Sequence, residues 1–147
     1  MTTMANYVSN SVLFIGDPSR IAGVRELFLQ IEEKQVASNL YHLPDFVTGD
    51  RGHMLEIETN GDWINYETRW TPNLDLLEQI ARHYDLDFIA RYDEPVNWIY
   101  GEAVFTAGEL HNVIVNSYDG EDWYNDPDFL AIQELQASLL AGQHPQR

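Results

Sequence analysis

The 147-residue chain has no cysteine, which excludes disulfides, thiolate metal ligands and cysteine nucleophiles together. No apolar run approaches the length of a membrane span, and the first residues lack the basic, apolar, small-residue order of a secretory signal. Serine-histidine nucleophile motifs and phosphate-cradling glycine loops are both missing. Basic residues are scarce: eight lysines and arginines stand against twenty-four acids, a formal net charge of −16. The excess is uneven, because between His83 and Gln146 twelve acids meet a single base, Arg91. A surface of that sign repels phosphate backbones and anionic bilayers, so neither is expected as a direct partner. Its natural complement is a basic protein surface.

What is present reads as one globular domain over residues 1–147, with 44% apolar residues and four tryptophans to build a core. The clearest local signal lies between Leu55 and Trp70. Asn60-Gly61 is expected to form a type I′ hairpin turn, which requires positive φ at both residues. That turn sets Thr59 opposite Asp62, Ile57 opposite Ile64 and Leu55 opposite Tyr66, with Glu56 and Glu58 on the other face. Thr71-Pro72 then reads as an N-cap and first helical residue, followed by Leu74, Leu77, Ile80, Ala81 and Tyr84 at helical spacing.

Ahead of this unit, Ser11–Ile15 reads as the first strand, and its consecutive Val12, Leu13, Phe14 and Ile15 predict cover on both faces. Asp17-Pro18 opens a helix whose stripe is Ile21, Val24, Leu27, Phe28 and Ile31. Residues 35–53 hold no period, yet Tyr41, Leu43, Phe46 and Val47 predict a packed connection with a short helical turn at Pro44-Asp45-Phe46. Beyond the second helix, Leu86, Phe88, Ala90 and Tyr92 alternate as a fourth strand, which Asp93-Glu94-Pro95 breaks. Residues 97–106 and 110–116 form a second hairpin about Ala107-Gly108, and Gly101 marks a bulge or a close backbone approach. Asp126-Pro127 opens a third helix carrying Leu130, Ile132, Leu135, Leu139 and Leu140, with Gly142 as its stop.

The order is β-α-β-β-α-β, then two strands and a helix. Right-handed crossovers put the first and third strands side by side, with both helices on one face. The fold class is α+β, a ferredoxin-like split βαβ antiparallel sheet extended by a C-terminal hairpin and a final helix. An acidic loop and that helix occupy residues 117–147.

Three groups of residues carry a resemblance. Residues 5–12 (Ala-Asn-Tyr-Val-Ser-Asn-Ser-Val), followed by Asp17-Pro18, form the first. The others are Glu67-Thr68-Arg69-Trp70-Thr71-Pro72 and Tyr92-Asp93-Glu94-Pro95. Together they resemble the YubB-like (Api-phage-type) family, with Val8 where members often carry cysteine. The resemblance covers most of residues 5–116 and leaves the acidic stretch from Asp119 outside. It implies a ferredoxin-like fold and an origin on bacterial plasmids or phages; with neither span nor signal pattern, the cytoplasm of the bacterial host is the expected location. It implies no activity, catalytic residue or cofactor.

The residues themselves offer little chemistry. Asp119, Glu121, Asp122, Asp126 and Asp128 surround Trp123 and Tyr124, but their spacing misses the calcium-loop ligand pattern. His53 near Glu56, and His83 near Asp85 and Asp87, are more readily solvated surface groups than metal pairs. No catalytic, metal or cofactor-binding residue is therefore expected. Trp63, Tyr66, Trp70, Trp98 and Tyr100 fall on strands, with Trp63 and Trp98 on the more polar faces. Base stacking on them would need a positive groove, which is lacking.

The function expected from these features is non-enzymatic. An acidic phage or mobile-element protein would occupy the basic groove of a host nucleic-acid-binding defence protein, a CRISPR effector or restriction nuclease, as a DNA mimic. Asp119, Glu121, Asp122, Asp126 and Asp128 are the expected contact charges, with Trp123 as anchor. Twelve acids would match the roughly dozen phosphates facing a ~20 Å groove at about one per 1.7 Å, if they share one face. Two alternatives stand beside it. One is a small-ligand-binding or metal-dependent enzyme using the sheet face and the 35–53 loop; the other is a homodimer seamed by the final helix.

Overall fold

The computed structural model describes residues 6–49, 53–116 and 125–142. Strand β1 (Tyr7–Ile15) begins four residues earlier than the Ser11 start that the sequence predicts. It alternates Val8, Asn10, Val12 and Phe14 onto one face and is buried along most of its length, because β3 and β4 flank it on either side. Helix α1 (Pro18–Ser38) follows. The Asp17 carboxylate accepts the Ser19 and Arg20 amides at 3.1 and 3.2 Å, and Pro18 needs no such partner. The Ser19 hydroxyl, then the Arg20 amide, hold that carboxyl below its usual range. The helix runs on past Glu33 until Asn39 turns left-handed (φ 56°) and returns its N–H to the Gln35 carbonyl.

The hairpin of β2 (Leu55–Glu58) and β3 (Ile64–Arg69) forms, but not as expected. Neither Asn60 nor Gly61 has positive φ, so the type I′ turn is not made, and residues 59–63 form a wider loop. Leu55 pairs with Glu67 and Glu58 with Asn65, so three steps on β2 span two on β3. Glu56, at φ 49°, absorbs the extra residue as a bulge. With the bulge in place Ile57 still reaches the core and Glu56 and Glu58 stay outside, as the sequence predicts.

Helix α2 (Leu74–Tyr84) is capped at Asn73 rather than at Thr71. The Thr71 carbonyl is instead taken by the Thr68 hydroxyl, which anchors the end of β3 and delays the helix by two residues. Strand β4 (Asp87–Glu94) runs through the acidic pair expected to break it, and a 3-10 turn (Pro95–Asn97) follows. Strands β5 (Ile99–Thr106) and β6 (Glu109–Asn116) meet at Ala107-Gly108, with φ of 52° and 75°, so the hairpin forms about the two residues the sequence predicts, with β5 starting two residues later and β6 one residue earlier than expected. Helix α3 (Pro127–Ala141) is capped by Asp126.

All pairings are antiparallel, in the order β2-β3-β1-β4-β5-β6. The first four strands carry the ferredoxin-like order, and β5 and β6 extend it beyond β4. Helices α1 and α2 cover one face, packing Val24, Phe28, Leu77 and Ile80 on Val12, Phe14, Ile64 and Phe88. Helix α3 covers the other, setting Ile132, Leu135, Leu139 and Leu140 on Ile15, Ile89 and Val104. Two covered faces explain the consecutive apolar residues of β4 and β5. They also mean that the stripe expected for a dimer seam packs within the chain. Leu43, Phe46 and Val47 pack on the first core, and Val47 N–H closes a turn on the Pro44 carbonyl at 3.0 Å, so the connection is a packed one.

Candidate interaction surface

Strand β6 is the outermost strand, and its position depends on Gly101. A Cβ at Gly101 would lie 2.0 Å from Tyr92 Cζ. The bare backbone therefore lets the Tyr92 ring lie across β5, and its hydroxyl donates to Asn112 Oδ1 on β6 at 2.6 Å. This is the close approach that a glycine inside a strand predicts. Burial raises the Tyr92 phenol above its usual range, and the bond to Asn112 offsets part of that.

Under α3 lies a polar network that sequence reasoning missed. Glu102, only 4% exposed, accepts from Tyr100 Oη at 2.5 Å and from the side-chain amides of Gln133 and Gln136. Arg91 sits opposite Glu102 in the ladder and donates to Gln136 Oε1 at 3.0 Å. Its guanidinium lies 4.8 Å over the Trp63 ring. Trp63 is accordingly half-buried against the α3 layer rather than exposed on a polar face. Burial, then the hydrogen bond and charge of Glu102, push the Tyr100 phenol well above its ordinary value. The signal in the sequence was one glutamate in an otherwise apolar run, Gly101–Phe105. The network pins α3 to the sheet and fixes where its N-terminus emerges.

At that N-terminus stand two of the expected contact residues. Asp126 accepts the amides of Asp128 and Phe129 at 2.9 and 3.2 Å, and Asp128 is exposed in the first turn. Both carboxylates favour the positive end of the helix. Asp119, Glu121, Asp122 and Trp123 lie outside the described residues. Asp126 and Asp128 share the wall of a groove of about 630 Å³ between β6 and α3 with Val113, Ile132 and Leu135.

The dozen acids do not all reach a surface. Glu94 is 3% exposed and caps the 3-10 turn through the Asn97 backbone and side-chain amides; Glu102 is buried as above. Asp85 is paired with Arg20 at 2.7 Å. The count that matched a dozen phosphates is therefore too high, because two of the charges serve the interior. On the β6–α3 side the exposed acids are Asp93, Glu109, Asp126, Asp128 and Glu134. No lysine or arginine occurs from Tyr92 to Gly142. The described bases other than Arg91 stand on α1, α2 and β3.

A second concavity, about 700 Å³, lies between the end of α1 and the β2–β3 hairpin. Tyr7, Gln35, Tyr41, Glu56, Glu67 and Arg69 line it. Arg69 donates to Tyr41 Oη at 2.9 Å, and the Tyr41 ring stacks on His53. Among the described residues no three His, Asp or Glu side chains converge on a metal position. None of the helices there is long and apolar enough to cross a membrane.

Most of the residues that carried the family resemblance, Asn6–Asn10, Thr68–Trp70 and Tyr92–Glu94, converge at one end of β3-β1-β4 as framework, while Asp17-Pro18 follows the other end of β1. Asn10, buried, donates to Thr68 Oγ1 and the Val8 carbonyl, each at 3.0 Å. Trp70 N–H donates to the Asn6 carbonyl at 2.7 Å, and Tyr92 sits opposite Asn10. Trp70 and Trp98 themselves are more than half exposed.

Sheet order, helix placement and this shared framework define an α+β protein of ferredoxin-like type. Within that class, residues 51–133 match the family described as the ferredoxin-like domain in Api92-like protein, and the chain belongs to that family. The match includes the motifs at Glu67–Pro72 and Tyr92–Pro95 but neither Asn6–Asn10 nor Asp17-Pro18. It also continues through the acidic stretch into α3, which the resemblance had left outside. No curated protein and no solved structure matches the chain.

Proposed function

We propose that this protein is a non-enzymatic acidic binding domain whose partner presents a basic surface. The observation that carries the reading is the β6–α3 side, where five exposed carboxylates stand in a stretch with no lysine or arginine. Such a field speeds encounter with a basic partner and weakens as salt shortens the Debye length to about 8 Å at physiological strength. A groove that grips nucleic acid presents such a basic surface, so the partner class is a host nucleic-acid-binding protein. Inhibition of a CRISPR effector or restriction nuclease by mimicry of DNA in the bacterial cytoplasm is the biological form this takes for a phage or plasmid protein.

The test is affinity capture from host lysate at low and high salt. The parent is compared with a variant carrying Asp119→Asn, Glu121→Gln, Asp122→Asn, Asp126→Asn and Asp128→Asn. Nucleic-acid-binding partners should be recovered by the parent, released by added duplex DNA and lost with the variant. Recovery of the same partners by the variant would refute the assignment.

One observation favours a second reading. The cleft between α1 and the β2–β3 hairpin brings carboxylate, guanidinium and phenol groups into one concavity, as a small-ligand site requires. An Arg69→Ala variant that leaves partner capture intact but abolishes a thermal shift by a small-molecule library hit would favour it.

A further inference from the structure

The two edges of the sheet are built differently. At one edge β2 has four residues, a bulge at Glu56 and exposed Glu56 and Glu58, the devices by which proteins protect an edge from pairing. At the other, β6 has eight residues, and its ladder with β5 runs from Thr106–Glu109 to Ile99–Asn116 without a register shift. It contains no proline or lysine, and its single acid is Glu109 at the hairpin end. Among the described residues nothing pairs with its outer side. Ile114 is 60% exposed on the face that α2 leaves uncovered, with Leu110 on the same face four residues back along the strand. On the opposite face the groove beside α3 combines Val113, Ile132 and Leu135 with Asp126 and Asp128.

We infer that the outer edge of β6 takes up an extended basic peptide segment of the partner as an added strand. The backbone would supply the pairing. Alternate side chains would point into the α3 groove, where an arginine or lysine stem lies along Ile132 and Leu135 and its head reaches Asp126 or Asp128. The intervening side chains would fall on the Leu110–Ile114 face, which suits β-branched residues. A second copy of this chain is the poorer occupant: edge-to-edge pairing would bring Glu109, Asp126 and Asp128 of each copy together with no lysine or arginine on either side to offset them, His111 being the one basic side chain nearby. The inference rests on the proposed reading of the chain as an acidic binding domain and adds how the partner is gripped.

The probe is a capped, fluorescent heptapeptide in which arginine alternates with valine, titrated into the full-length protein by anisotropy. Two further versions carry the same side chains but N-methyl groups on one or the other alternate set of amides. Charge is identical in all three, so any difference reports backbone pairing. One N-methylated set should bind at least about tenfold more weakly, because it removes several hydrogen bonds, while the other stays within about twofold of the parent peptide. Hydrogen exchange should slow in residues 109–116 when the parent peptide binds. Equal affinities for the two N-methylated peptides, or no binding of the parent peptide, would overturn the inference. So would light scattering that shows a dimer with β6 already protected in the absence of peptide. If the inference fails while lysate capture still depends on the five carboxylates, the acidic-binder reading survives. If capture is indifferent to those carboxylates while the peptide result holds, that reading falls and the β6 site stands.

Discussion

Gly101→Ala is a small change with a large expected cost. The new Cβ would sit 2.0 Å from Tyr92 Cζ and 2.3 Å from both Tyr92 Cε2 and the hydroxyl oxygen. Carbon atoms in contact lie about 3.5 Å apart, so the ring must retreat by roughly 1.5 Å. It has little room, because Tyr92 is only 3% exposed. Moving it forfeits the hydrogen bond to Asn112, about 1 kcal/mol, and strains the surrounding packing by about 1–3 kcal/mol. The sum, about 2–4 kcal/mol, is a large part of the stability of a small domain and should lower Tm by about 6–12 °C. The background is decisive. With Tyr92→Ala the obstacle is gone, and Gly101→Ala should become neutral or mildly stabilising, since alanine restricts the unfolded chain more than glycine. Urea denaturation of the four members of this cycle gives the coupling directly. A cost below about 0.5 kcal/mol with Tyr92 present, or an equal cost without it, would refute the role assigned to the ring. Because Asn112 lies on β6, Gly101→Ala should also speed hydrogen exchange in residues 109–116 and weaken any ligand held at that edge.

Two further perturbations follow from the same geometry. Ala107 holds a φ of 52° in the β5–β6 turn, a region that asparagine or glycine tolerates better. Ala107→Asn should therefore stabilise the protein by about 0.5–1 kcal/mol, read as a higher urea midpoint; no gain would show the turn to be unstrained. Burial raises the phenols of Tyr66 and Tyr100, and Glu102 raises the second further. Both stay protonated in the folded state after the unfolded chain begins to ionise near pH 10, so their contribution is intact below about pH 10 and lost as pH rises beyond it. The Tyr66 hydroxyl is buried with no hydrogen-bond partner among the described residues. Tyr66→Phe should thus be stabilising by about 1 kcal/mol near neutrality and should flatten the alkaline loss; a destabilised variant would contradict this.

The sequence by itself determined the order of elements, the fold class and most helix boundaries. Those signals are local. Asp17-Pro18 and Asp126-Pro127 satisfy the first-turn amides of their own helices, and Ala107-Gly108 needs only its own backbone to close a hairpin. Where two local signals competed, the surroundings decided. Asn60-Gly61 offered a tight turn, yet β2 and β3 pair through a bulge at Glu56 and are joined by a wider loop. Thr71 offered a cap, yet its carbonyl was claimed by Thr68 and the helix began after Asn73.

The candidate surface was legible only as composition. A count of carboxylates says how much charge the chain carries, but burial of Glu94 and Glu102 and pairing of Asp85 depend on residues far away in sequence. The sequence has the β5–β6 hairpin extend the sheet, but a string of residues cannot state which strand lies last in it. Only the tertiary structure places β6 at the rim and lays α3 beside it, since strand order and layer packing are set by contacts between distant segments and not by the pattern of any one of them.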